Sequence, residues 1–117
     1  MFGPKDSPTE EDILLWVELF KVLGDKSRLT ILALLMNKPL CVCEIVNYLG
    51  MTQPAVSQHL RRLKALELVK ERKEGQWVVY RANEEKVNTL SKAYQAMLNF
   101  GVQEIEKVEI LRPMGTE

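Results

Sequence analysis

The chain has 117 residues, 46% apolar and 27% charged, which suits one globular domain and argues against wholesale disorder. No apolar run approaches the ~18 residues that cross a bilayer, and the polar start MFGPKDSPTEED does not read as a signal peptide, so a cytoplasmic protein is expected. Sixteen basic and sixteen acidic residues cancel, so net charge alone points to no polyanionic partner.

Residues 1–8 hold two prolines and a glycine and read as a flexible arm. A helix is expected from Thr9, because T-E-E-D has the form of a capping box with acids in the first turn. Ile13, Leu14, Trp16, Val17, Leu19, Phe20 and Leu23 give it an apolar stripe wider than a small core needs. Gly24 ends this helix and Asp25 caps a second, Lys26 to Met36, stopped by Asn37-Lys38-Pro39. A short helix follows from Val42 or Cys43 to Leu49, with Ile45, Val46 and Leu49 inward and Gly50 as its C-cap. Thr52 caps a longer helix, Gln53 to Leu66, with Pro54 in its first turn and Val56, Leu60, Leu63 and Leu66 at helical spacing.

The period then changes. Leu68 to Lys73 and Gln76 to Ala82 are strand candidates joined by a turn at Glu74-Gly75. Asn83 caps a final helix whose Val87, Leu90, Tyr94, Met97, Gly101, Ile105 and Val108 recur at the spacing of a helix-pairing seam. One domain is expected over residues 9–111, with residues 112–117 fraying. The fold class is mainly α with a β-hairpin wing: a winged helix-turn-helix of four helices, two strands and a fifth helix.

Two helices joined by a short turn, the second opening with small and amide side chains, match the helix-turn-helix pattern. Gln58 can pair with an adenine edge and Ser57 can bond a base or a phosphate, while Thr52 and Gln53 stand at a phosphate-attracting helix N-terminus. Ala55, Arg61 and Arg62 share the exposed surface of that helix, and Lys73 with Gln76 marks the hairpin tip. From Thr52 to Arg81 seven basic residues stand against three acidic ones, an excess that can form one phosphate-seeking face on a neutral protein. His59, the only histidine, lies beside this surface, where a phosphate contact is expected; a metal site would need a second histidine.

The segments FKVLGDKSRLTILALL and LCVCEIVNYLGMTQPAVSQHLRRLKALELVKERKEGQWVVYR resemble the ArsR/SmtB family of winged-helix metalloregulators, over residues 19–82. The resemblance implies a homodimeric repressor of the arsenical-resistance type that binds double-stranded operator DNA and lets go when it takes up an inducer. It implies that Gln53, Ser57, Gln58 and His59 lie at or near DNA. It also implies a dimer interface on the first and last helices, at Trp16, Leu19, Phe20, Leu90, Tyr94, Met97 and Ile105.

Cys41 and Cys43 are then the inducer candidates, since a thiolate pair selects soft ions and thiols near a helix N-terminus tend toward lower pKa. Residues two apart point to nearly opposite sides of a helix, so the pair can grip one ion only where the backbone is not fully helical. Binding is therefore expected to unwind or hold open the start of the short helix. A bridge between the two would be strained. The resemblance identifies this C-V-C placement with arsenical and cadmium/lead sensors. Val46 occupies the position where some arsenic sensors carry a third cysteine, residues 1–40 contain no cysteine, and the last helix has no histidine for a zinc site. Two thiolates poorly satisfy four-coordinate Cd²⁺ or Zn²⁺. Trivalent As(III) or Sb(III) can take two protein sulfurs and a third ligand from solvent or a small thiol, and is favoured as inducer, with no catalytic cofactor. The alternatives are a repressor answering to Cd/Pb, to thiol oxidation or to another ligand. More distant is a small thiol enzyme, which would want C-x-x-C spacing or a base beside a cysteine.

Overall fold

The computed structural model describes residues 9–107, with side chains through residue 99. The arm at 1–8, the helix end at 108–111, the tail at 112–117 and the side chain of Ile105 lie outside the described residues. The chain runs α1 (Glu10–Leu23), α2 (Lys26–Asn37), β1 (Leu40–Cys41), α3 (Val42–Leu49), α4 (Gln53–Ala65), β2 (Val69–Glu74), β3 (Trp77–Ala82) and α5 (Glu84–Lys107). This is the winged helix-turn-helix expected, with one strand more than the hairpin.

Local chemistry sets most boundaries. Thr9 and Asp12 form the capping box, the Asp12 N–H donating to Thr9 Oγ1 at 3.1 Å and the Thr9 N–H to Asp12 Oδ2 at 2.9 Å. Asp25 Oδ1 accepts from the Arg28 N–H at 3.0 Å to open α2. Between these helices Gly24 keeps φ at −76°; it is needed for space, since a Cβ there would stand 2.9 Å from the Phe20 carbonyl oxygen. Gly50 is different. It ends α3 at φ 65°, the left-handed conformation that lets the chain turn sharply into α4.

The core gathers on α4. Val56, Leu60 and Leu63 are fully buried on one stripe, together with Ile31 of α2 and Ile45 of α3. Both α2 and α3 pack on α4, which fixes its orientation from two sides.

The hairpin turn falls one residue later than expected. Glu74 pairs with Trp77, so Gly75 and Gln76 form a two-residue turn with Gly75 at φ 64°, and the strands start at Val69 and Trp77. The unexpected strand is β1. Leu40 pairs with Tyr80 and Cys41 with Val79, giving an antiparallel sheet in the order β1-β3-β2.

The broad stripe of α1 divides in a way its period does not reveal. Trp16 and Leu19 turn into the protomer's own core, at 4% and 8% exposure. Trp16 and Phe20 meet Tyr94 of α5, each with ring centroids 5.3 Å apart. Of the seven residues expected at a dimer interface, Trp16 and Leu19 are therefore core side chains. Leu90, Tyr94 and Met97 are half-buried against that core, and Phe20 keeps 46% of its surface.

Candidate functional site

Two sites adjoin on this frame. The first is the outer surface of α4. Thr52 Oγ1 accepts from the Ala55 N–H at 3.3 Å and starts the helix. Because the buried stripe is Val56–Leu60–Leu63, the 100° step per residue puts Gln58, Arg61 and Arg62 opposite it, and all three are exposed. Thr52 and Gln53 are exposed at the N-terminus, while Ala55 and Ser57 are half-buried at the edges of the stripe. Lys73 and Gln76 are exposed at the wing tip, Gln76 within the turn itself.

His59 is placed otherwise than expected. It is half-buried on the α2 side, its Nδ1 3.2 Å from Arg28 Nη1. A guanidinium has no acceptor, so in this contact Nδ1 is the accepting atom. The same Arg28 donates through Nε to the Val22 carbonyl oxygen at 2.6 Å, closing the end of α1. His59 thus joins the junction of α1, α2 and α4.

The wing's charge is also partly committed. Lys64 pairs with Glu71, and Arg72 and Arg81 both donate to Glu74 Oε2, Arg72 at 2.8 Å and Arg81 at 3.2 Å. The Lys64 ammonium holds the Glu71 carboxyl below its ordinary range, helped by Tyr80 directly across the ladder. Burial, and then Glu71, pushes the Tyr80 phenol up.

The second site is the cysteine pair. Cys41 is the last residue of β1 and the N-cap of α3, with extended angles of φ −83° and ψ 163°. Cys43 lies one residue inside the helix. This break between strand and helix lets both sulfurs face one side, 2.6 Å apart. The backbone is not fully helical here, the condition set for a shared grip, because the helix begins only after Cys41. The Cys41 N–H donates to Glu44 Oε1 at 2.9 Å, and this bond holds the Glu44 carboxyl below its ordinary range. The Cys41 thiol is pushed up, chiefly by its hydrogen bond with Cys43 and next by burial. The expected lowering by the helix N-terminus does not prevail for Cys41.

An open cleft of about 330 Å³ surrounds the pair, lined by Cys41, Cys43, Glu44, Glu74, Trp77 and Val79. Three of these residues belong to the wing, and sequence reasoning missed them. Glu44 was legible as the fourth residue of a C-x-x-E capping pattern. Among the described residues no group of three or more His, Cys, Asp or Glu side chains is arranged to hold a metal ion.

A helix-turn-helix seated on a shared core, with an amide and two arginines on its outer helix and a hairpin following, defines a winged-helix DNA-binding protein. More narrowly, residues 25–71 match the model of the bacterial regulatory protein, arsR family. An HTH-type transcriptional regulator of Methanocaldococcus jannaschii is 45% identical over 76 residues, which are 64% of this chain and 85% of that protein. The arsenical resistance operon repressor of Escherichia coli is 45% identical over 69 residues, 58% of this chain and 59% of that protein. Among solved structures, reduced HlyU from Vibrio cholerae superposes with a TM-score of 0.62 at 33% identity, covering 74% of this chain and 92% of that one. The chain belongs to the ArsR family of transcriptional regulators.

Proposed function

We propose that the chain is a homodimeric repressor that binds a two-fold symmetric operator and is released when As(III) or Sb(III) joins Cys41 and Cys43. The observation that carries the inducer assignment is that both cysteines line one cleft where β1 gives way to α3. Both cysteines adjoin elements that position the reading helix: Ile45 of α3 is fully buried in one core with Val56 and Leu60 of α4. A trivalent centre needs only one ligand beyond two sulfurs, and the pair has no further soft donor beside it among the described residues.

In the free state Gln58 reads a base edge, Ser57, Thr52 and Gln53 meet bases or phosphates, and Arg61, Arg62, Lys73 and Gln76 grip the backbone. Dimerisation brings two reading helices into successive major grooves. Supporting it, α1 leaves Ile13, Leu14, Leu15, Val17 and Phe20 between 41% and 57% exposed, an apolar surface suited to a second copy.

Inducer binding biases the junction of β1 and α3 and weakens the DNA complex. A typical coupling of about 1–3 kcal/mol lowers operator affinity some 5–150-fold. Gel-shift titration with arsenite is the test. Wild-type DNA release with arsenite, and its loss in Cys41→Ser/Cys43→Ser, is expected; release unchanged in the double variant rejects the site. Because sulfurs this close also suit oxidation, a peroxide arm is run in parallel, and release by peroxide alone supports a thiol-redox repressor instead.

A further inference from the structure

We infer that the wing completes the inducer site: Glu74 accepts a hydrogen bond from the third substituent of the centre held by Cys41 and Cys43, and Trp77 walls it. This rests on the thiol-inducer reading above and names what that reading leaves open, the third corner of the site.

Four observations meet here. The cleft holding the two sulfurs has Glu74, Trp77 and Val79 as its opposite wall. The sheet fixes that juxtaposition, since Cys41 pairs with Val79 and Glu74 with Trp77 on the same strand β3. Glu74 uses only Oε2 for its arginines: Arg72 Nη2 at 2.8 Å, Arg72 Nε at 3.2 Å and Arg81 Nη2 at 3.2 Å. Its Oε1 has no hydrogen-bond partner among the described residues, whereas Glu44 Oε1 is engaged by the Cys41 N–H.

The chemistry needs such an acceptor. Arsenious acid, As(OH)₃, reacts with two thiols by exchange: each S–H gives its proton to a departing hydroxyl, each sulfur bonds arsenic, and two waters leave. Arsenic stays trivalent and nothing is oxidised. One hydroxyl remains, and a hydroxyl in a partly desolvated cleft is a donor that favours an ionised carboxylate. Glu74 supplies that carboxylate, with Oε2 held by Arg72 and Arg81 and Oε1 left to accept. Seating the ligand then draws on the same carboxylate that ties Arg72 of β2 to Arg81 of β3, beside Lys73 and Gln76 at the wing tip. The inducer signal thereby reaches the wing as well as α4.

The test titrates reduced wild type, Glu74→Gln, Glu44→Gln and Trp77→Phe with arsenite, following sulfur–arsenic absorption and tryptophan emission together. Glu74→Gln is expected to keep one arsenic per protomer but bind about tenfold more weakly, as loss of a charge-assisted hydrogen bond implies. Glu44→Gln should stay within about threefold, because the amide oxygen still accepts from the Cys41 N–H. The emission change should be present in wild type and absent in Trp77→Phe, where only Trp16 remains. Wild-type affinity in Glu74→Gln, or an emission change that survives Trp77→Phe, overturns the inference. Absence of sulfur–arsenic absorption in wild type is a different result: it removes the thiol-inducer reading itself.

Discussion

The reading helix and the wing carry comparable chemistry on very different supports. α4 is anchored by Val56, Leu60 and Leu63, each with no exposed surface, and is packed from both sides by α2 and α3. The wing has one buried residue in β2, Val69, and is otherwise exposed from Lys70 to Val78, held by its ladder and by surface ion pairs. Close packing resists small displacements, whereas exposed ladders open at low cost. The cysteines lie at the seam, one on a strand bonded to the wing and one on a helix packed against the reading helix. A ligand placed there meets a stiff side and a yielding side, and the yielding side moves first.

Truncation should break this contrast most strongly in the core. Leu60→Ala is expected to cost about 2–5 kcal/mol of stability by chemical denaturation, since it leaves a cavity in the stripe that fixes α4. A cost under about 1 kcal/mol would mean that α4 is no better anchored than the wing.

Next come two exposed groups proposed to contact DNA, which should fail differently. Gln58→Ala is expected to lose about 1–3 kcal/mol on the operator and to relax preference at one base pair. Lys73→Ala should weaken all sequences about equally and reduce the salt-dependence slope by about 1. Equal behaviour of the two variants in a salt titration would erase the division of labour.

Ion pairs of the wing should matter least to folding. Arg72→Ala is expected to shift stability by about 0.2–1 kcal/mol, because both partners are well exposed and share the charge with solvent.

The pH profile separates the supports once more. The carboxyls of Asp25, held down first by the Arg28 N–H, and Glu71, held down first by Lys64, have folded values below their ordinary 3.8 and 4.5. Their contribution is therefore complete above those ordinary values and is lost as pH falls through the depressed folded values. The denaturation midpoint should stay level from neutrality toward pH 5 and drop on further acidification, with a shallower drop in Asp25→Asn.

Much of this was legible in the residues because it is local. The Thr9–Asp12 box, the Asp25 and Thr52 caps, Gly50 at its left-handed turn and the Val56–Leu60–Leu63 stripe each depend on neighbours within one or two helical turns, and all are found as read. The C-V-C pair was legible as chemistry. Its geometry was not, because whether Cys41 is helical depends on a strand that ends there.

What only the tertiary structure decided are contacts between distant parts of the chain. A strand as short as Leu40–Cys41 has no period to read, and it exists because β3, some forty residues on, offers free backbone groups. The period of α1 makes Trp16, Val17, Leu19 and Phe20 apolar without saying which face meets Tyr94. His59 looks like a surface group until Arg28 of α2 closes on it. Above all, nothing near Cys41 and Cys43 in sequence points to Glu74 and Trp77. The sequence alone supplied a winged helix-turn-helix and two soft donors. The antiparallel pairing of β1 with β3 is what puts the wing's carboxylate and indole across from them.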